Sequence, residues 1–150
     1  MLRRLGMAMV PLVAAAAMMP SMVRADGMTL HVSPGTLHAR VEITFTLTID
    51  CPAPAPGDYV SQEAWAVSVE EAAGWKIAYG EVEMLSQYPS PMFFQCTGSA
   101  VTLPIDILAQ TPGPAFRRGQ AIVTASAGVA YASGASVSAS VGPAVVRLHW

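Results

Sequence analysis

Charged residues are scarce in this chain of 150 residues. They make up 12% of it, about half of the share that is usual in soluble domains. Outside the first 25 residues, the one adjacent pair of basic residues is Arg117-Arg118. Proteins that bind the phosphate backbone of nucleic acids need clustered Lys and Arg side chains, because these release the counterions condensed on it. The sequence therefore predicts no nucleic-acid partner.

Motifs of common enzyme sites are also missing. The sequence has no glycine-rich phosphate loop, no Cys-x-x-Cys pair and no serine in a Gly-x-Ser-x-Gly elbow. A catalytic nucleophile needs a base and an orienting group within hydrogen-bond reach, and His31, His38 and His149 do not stand in such a context. We therefore expect no catalytic residues and no cofactor, and the sequence favours a non-enzymatic protein.

The first residues predict export. Arg3 and Arg4 form a positively charged start, and the stretch Leu5–Met19 that follows is apolar and free of charge. Val23-Arg24-Ala25 then places aliphatic or small residues at the −3 and −1 positions of a cleavage site. The apolar run is shorter than the roughly 20 residues that a membrane helix needs, although an uncleaved anchor is the alternative interpretation.

Removal of residues 1–25 as a signal peptide leaves residues 26–150. About 125 residues form a single domain. This part carries all ten acidic residues and five of the eight basic ones, which gives it a formal charge of −5. We expect a periplasmic or secreted domain with no membrane span in the mature chain.

Cys51 and Cys96 are the only two cysteines. In an exported protein an even number of cysteines favours a disulfide. Closing a loop of this length would stabilise the fold by about 4 kcal/mol in the chain-entropy model. Two free buried thiols, or a redox-active pair that exchanges disulfides, are the alternatives.

Alternation of apolar and polar residues is the strongest structural pattern. It is unbroken over residues 40–51, which predicts a half-buried antiparallel strand. Shorter alternating runs follow to the end of the chain, separated by turn segments rich in Pro and Gly. The sequence therefore predicts an all-β fold, an immunoglobulin-like antiparallel β-sandwich of about eight strands.

Two of the alternating runs give more detailed predictions. Trp75, Ile77 and Tyr79 alternate as if they shared the inner face, and the apolar phase then changes at Gly80. This change predicts a bulge or a tight turn there. Pro104 stands in the opposite phase of another alternating run, which predicts that this strand is an edge strand or has a bulge there.

Met28, His31 and His38 lie close together in sequence, near the predicted mature N-terminus. Met and His side chains are ligands that copper prefers. Six of the nine methionines belong to the signal segment, so the methionine count itself indicates nothing. A copper or zinc site made by these three residues is an alternative hypothesis for the function.

Several segments follow one another in the order found in one family of exported domains. They are Val32-Ser33-Pro34-Gly35, Gly74-Trp75-Lys76, Tyr88-Pro89-Ser90-Pro91, Val101-Thr102-Leu103-Pro104-Ile105 and Pro112-Gly113-Pro114. In these segments the chain resembles the N-terminal domain of the thiol:disulfide interchange protein DsbD, the disulfide-bond corrector domain. The resemblance implies an immunoglobulin-like sandwich that binds another exported or membrane-bound protein.

The redox motif of that family has a counterpart without cysteines. The family typically has a tyrosine, two residues, a cysteine, four residues, a second cysteine and then a proline. Here Tyr131 is followed by Gly134, Ala139 and Pro143 at the matching positions. Thiol exchange requires a thiolate, so the resemblance implies degenerate redox positions at Gly134 and Ala139. A retained exchange activity would have to use Cys51 and Cys96.

A second resemblance is to the YcnI-like exported copper-binding domains. It is carried by His31-Val32-Ser33-Pro34-Gly35, Thr44-Phe45, Cys51 and Gly74-Trp75-Lys76. Those domains use a histidine at the mature N-terminus as a ligand, whereas the predicted first residue here is Asp26. This resemblance implies copper binding.

Overall fold

The computed structural model describes residues 23–25 and 27–150, which form an all-β domain. The strands are β1 (Val23–Ala25), β2 (Met28–Val32), β3 (Gly35–His38), β4 (Glu42–Asp50), β5 (Val60–Ala73), β6 (Lys76–Gln87), β7 (Val101–Leu108), β8 (Gly119–Tyr131) and β9 (Ser136–His149). The predicted signal peptide lies outside the described residues, apart from its last three, which form β1. The described ranges contain no helix that is long and apolar enough to cross a membrane.

The strands form two packed layers. One layer has the order β7, β4, β2 and β1, and the other has the order β6, β5, β8 and β9. In immunoglobulin domains, strands A, B and E lie in one layer and strands C, F and G lie in the other. The strands of this protein divide between two layers in the same way. The predicted fold class is confirmed, with nine strands in the described part of the chain.

Strand β3 joins the two layers on one side of the sandwich. It pairs with β4 in the first layer and also, in parallel, with the end of β9 in the second. The chain turns into β3 at Gly35, where a Cβ would lie only 2.7 Å from side-chain atoms of Ile43 and Phe45. The parallel β3–β9 pair is the departure from the antiparallel arrangement that the sequence predicted.

Strand β4 supplies the centre of the core. Its buried residues alternate with half-buried polar residues, as predicted. The buried set is Ile43, Phe45, Leu47 and Ile49. The strand begins at Glu42, whereas Arg40 and Val41 belong to the preceding turn and Val41 is exposed. The predicted alternating strand is therefore confirmed but is shorter at both ends.

The inner face of β6 differs from the prediction. Ala78 and Gly80 are buried, whereas Trp75 and Ile77 are exposed on the outer face. The pairing of β6 with β5 is continuous, so Gly80 is not a bulge. A Cβ at Gly80 would lie 2.5 Å from Ile107 Cγ2, which means that the layers approach too closely here for larger side chains.

Strand β7 is the edge of the first layer. Within residues 27–150 it pairs with β4 alone. Pro104 has no N–H group to give to a further strand, so its position at an edge is the one that a proline tolerates. The predicted edge strand is confirmed.

Gly80→Ala should lower the free energy of unfolding by roughly 1–3 kcal/mol, the usual cost of overpacking. The added methyl group would meet Ile107 and the main-chain oxygen of Leu108 at 2.7 Å or less. Gly128→Ala on β8 is the matched control, because its nearest neighbours would lie 3.5 Å away. Urea unfolding should show the control to be neutral or slightly stabilised. Equal effects at the two positions would contradict the close approach at Gly80.

Candidate functional site at the edge of strand β6

Strand β6 has one paired side and one open side. The main-chain N–H of Tyr88, just after the strand, donates to the oxygen of Ser61 on the β5 side at 2.9 Å. The main-chain oxygen of Tyr79 instead accepts a hydrogen bond from the N–H of Gln110, on the side away from β5, at 2.8 Å. In an antiparallel pair, both main-chain groups of a residue point to one side, and successive residues alternate.

The residues of β6 in phase with Tyr79 therefore turn their main-chain groups away from β5. Between Tyr79 and Gln87, whose oxygen accepts a hydrogen bond from the N–H of Ser90, these are Glu81, Glu83 and Leu85, and all three are exposed. Within residues 27–150, no strand lies beside them on this side. Such a row of N–H and C=O groups is a template for an additional strand.

The inner side of this edge is also accessible. Met84 lies across from Trp65 and faces between the layers, yet 39% of it is exposed. Strand β7 has buried inner residues at one end and half-buried ones, Val101 and Leu103, at the other. Val82, Val101 and Leu103 are partly buried and pack against the core, and we call the side of the sandwich formed by these residues and Met84 the β6–β7 groove. The layers are in close contact at Gly80, and the four residues of the groove, which lie nearer the end with the disulfide, are less buried.

A buried carboxylate fixes the loop at the open end of the groove. The side chain of Glu63 on β5 is fully buried. It accepts hydrogen bonds from the main-chain N–H groups of Phe93 and Phe94, the latter at 3.2 Å. The ring of Phe93 packs edge-on against Trp65 with 6.4 Å between the ring centroids. Glu63 therefore holds Phe93 beside the groove.

The disulfide fixes the same loop at a second point. Cys51 and Cys96 are bonded with 5.1 Å between their Cα atoms, so the predicted bridge is confirmed. The two residues are 1% and 4% exposed. Thiol exchange begins with attack by a thiolate on an accessible sulfur. The burial of both residues therefore favours a structural bridge over a redox-active one.

The outer face beside the open edge is acidic. Glu81 and Glu83 lie on β6, and Glu70 lies across from Tyr79 on β5. The hydroxyl of Tyr79 donates to Glu81 Oε2 at 2.6 Å. This hydrogen bond, together with burial and the charges of Glu81 and Glu70, raises the pKa of Tyr79. A strand added to this edge would place its own side chains beside the two glutamates of β6.

The structure does not bring Met28, His31 and His38 together. Met28 is buried on the inner face of β2, and His31 lies on the opposite face. His31 pairs with Thr48 and His38 with Glu42, which separates the histidines by about 20 Å along β4 at the usual rise per residue. Among residues 27–150, no three His, Cys, Asp or Glu side chains are grouped closely enough to hold a metal ion.

Gly134 and Ala139 lie at different levels of the β8–β9 hairpin. Gly134 is in the exposed turn, whereas Ala139 is buried in β9 across from Ala127. The extended residues between them separate the two positions by roughly 10 Å or more, beyond the distance of about 4–7 Å that a disulfide spans. Their interpretation as degenerate redox positions stays a prediction.

The turn that contains Gly134 is held by a carboxylate from another loop. Asp58 accepts hydrogen bonds from the hydroxyl and the main-chain N–H of Ser133, at 2.6 and 3.0 Å. The bond from the hydroxyl is the main cause of a lowered pKa of Asp58. Tyr131 donates its hydroxyl to the oxygen of Pro52 at 2.7 Å. Tyr131 therefore braces the loop that follows β4.

Comparison of the chain with models of protein families found no match, and comparison with curated proteins found none.

Two features of the site were not predicted from the sequence, although each one has a visible sequence pattern. Glu63 is in phase with Trp65 and Val67, so a charged residue stands in the buried row of β5. Ala78 and Gly80 are in phase with Met84, which marks the inner row of β6. The large apolar residues in the other row of β6 hid this second pattern.

Glu63 should make the protein less stable as the pH rises. Burial raises the pKa of its carboxyl to about 7, although a hydrogen bond from Phe94 opposes this effect. The folded state thus binds the proton more tightly than the unfolded state. The resulting stabilisation is complete below a pH of about 4.5 and is lost as the pH rises through about 7.

Thermal unfolding at pH values of about 5 and 7.5 measures this dependence. The wild type should have the higher Tm at the lower pH, and Glu63→Gln should show a flatter profile because it has no proton to lose. Glu83→Gln removes an exposed carboxylate and should keep the wild-type profile. A wild-type pH dependence in Glu63→Gln would assign the titration to another group.

Proposed function

We propose that this protein is a non-enzymatic, exported binding module that holds another exported or membrane-bound protein through the open edge of β6. The observation that carries the proposal is the row of outward main-chain groups at Glu81, Glu83 and Leu85 beside the accessible Met84. Extended peptides bind such edges through main-chain hydrogen bonds, and side-chain pockets provide the specificity.

The side chains at the edge define the segment that fits it. On the outer face, Glu81 and Glu83 favour Lys or Arg directly opposite, since opposite charges across a strand pair are stabilising. On the inner face, Val82 and Met84 favour apolar residues that fill the β6–β7 groove. The preferred partner is therefore an extended segment in which basic and apolar residues alternate.

A second copy of this chain fits the edge less well. Antiparallel pairing of two β6 strands about Val82 would place Glu81 of one chain opposite Glu83 of the other. Like charges directly opposite each other are destabilising. The edge of β7 is also a poorer template, because Pro104 lacks the N–H group that an added strand would need.

The disulfide supports the proposed location. Disulfides persist in oxidising compartments such as the bacterial periplasm or the cell exterior, and Cys51 and Cys96 form one here. The layer order is also compatible with a relationship to the disulfide-bond corrector domain of DsbD. We include that relationship in the proposal, with the exchange activity lost and the binding of a protein partner retained.

A synthetic peptide of alternating Lys and Val residues tests the proposal. It should bind the protein at low salt, and backbone NMR shifts should change along β6 and in the β6–β7 groove. A matched peptide of alternating Glu and Val residues should bind more weakly, because it places like charges beside Glu81 and Glu83.

Two variants at one position separate the main-chain and charge contributions. Glu83→Pro removes an outward N–H group without removing a bond to β5, so it should abolish binding while the fold, checked by Tm and circular dichroism, is kept. Glu83→Gln keeps the N–H group and should weaken binding about two- to five-fold through the lost charge pair. Binding that is unchanged in both variants would overturn the proposal. So would self-association of the wild type that Glu83→Pro abolishes, because it would assign the edge to a second copy.

A further inference from the structure

The end of the sandwich opposite the disulfide gathers most of the basic side chains. Arg40 lies in the turn between β3 and β4, Lys76 begins β6 after the turn from β5, and Arg117 and Arg118 lie in the loop between β7 and β8. The one other basic residue after residue 25, Arg147, lies on the outer face of β9 across from Gln120, near the same end. We call this end the basic end.

Three of these arginines face one cleft. Arg40, Arg117, Arg118 and Trp150 line an open cleft of about 360 Å³. Glu71 is buried, and its carboxylate accepts a hydrogen bond from the main-chain N–H of Arg117 at 3.1 Å. The contact between Glu71 and Arg117 therefore involves the main chain of Arg117. Guanidinium groups match the geometry of phosphate through paired hydrogen bonds. A cleft with three of them is suited to an anion that carries more than one negative charge.

Exposed apolar side chains lie at the same end of the sandwich, and one of them, Trp150, lines the cleft. Trp75 is 89% exposed and Trp150 is 57% exposed. The ammonium group of Lys76 lies 4.8 Å from the ring centroid of Trp75. The other exposed apolar residues at this end are Val41, Ile77 and Leu108. A soluble anion would contact the arginines alone. The exposed apolar residues instead fit a ligand that has an apolar part next to its charged groups.

The side chains of the acidic residues near the basic end do not project from that end. Glu42 and Glu70 are on β4 and β5, where side chains stand on the faces of the layers rather than along the strand direction. Glu71 is buried. The turns that project from the end carry the basic and aromatic residues. The basic end is therefore locally positive, although residues 26–150 carry a formal charge of −5.

We propose that the basic end docks the domain on a membrane surface that contains anionic phospholipids. The arginines of the cleft contact headgroup phosphates, and Trp75 and Trp150 lie at the level of the headgroups, where tryptophan is enriched in membrane proteins. A lipid surface supplies both the phosphate and the apolar layer, and basic residues near it add to binding individually. The docking is peripheral and does not depend on the proposed pairing of β6.

Binding to lipid vesicles tests this inference. Co-sedimentation at low ionic strength should show binding to vesicles of equal parts phosphatidylglycerol and phosphatidylcholine, and little binding to pure phosphatidylcholine. Arg117→Gln combined with Arg118→Gln should weaken binding roughly 30-fold, from about 1 kcal/mol for each basic residue. Ser90→Asp combined with Ser99→Asp makes the same change of net charge at the opposite end and should have a small effect.

A second pair of variants tests the apolar contribution. Trp75→Ala should reduce binding to the anionic vesicles, whereas Leu85→Ala removes an exposed apolar side chain outside the basic end and should not.

Three results would overturn the inference. One is the absence of binding to the anionic vesicles, and another is equal binding by the double arginine variant and the wild type. The third is a rise in Tm with inorganic pyrophosphate but no binding to vesicles, because a ligand bound by the folded state alone stabilises it. That result would assign the cleft to a soluble phosphate compound.

Discussion

Main-chain N–H and C=O groups need hydrogen-bond partners, and within residues 27–150 a strand bridges the two layers of the sandwich on one side alone. On that side β3 pairs with β4 in one layer and with β9 in the other. On the other side β6 and β7 approach at Gly80, where the layers are in close contact, and then separate. The open edge, the β6–β7 groove and the exposure of Met84 all follow from this asymmetry.

The loop between β6 and β7 is fixed in a position that leaves the edge of β6 open. It is fixed near its middle by the disulfide at Cys96 and by the buried carboxylate of Glu63, which accepts the N–H groups of Phe93 and Phe94. In this position of the loop, the outward main-chain groups of β6 have no partner strand within residues 27–150. The bridge and the carboxylate thus contribute to the proposed function as well as to stability. The opposite end has a different character, since its turns carry arginines and tryptophans.

Local patterns predicted the parts of the fold that depend on local residues. The alternation in β4 marked the core strand, and Pro104 marked an edge. The size of the apolar side chains gave the wrong inner face for the start of β6, because the close approach of β7 selects Ala78 and Gly80 there and leaves Trp75 outside. The basic end was not predictable, since Arg40 and Arg118 are far apart in sequence and meet only through the topology.

Amide hydrogen exchange of the isolated protein, followed residue by residue by NMR, tests most directly whether the edge of β6 is open. The N–H groups of Val82 and Met84 donate to β5 and should be protected, whereas those of Glu81, Glu83 and Leu85 should exchange rapidly. Protection that alternates along the strand is the result that our account predicts. Uniform protection from Glu81 to Leu85 in the isolated protein would contradict it, because another segment or a second copy would then cover the edge.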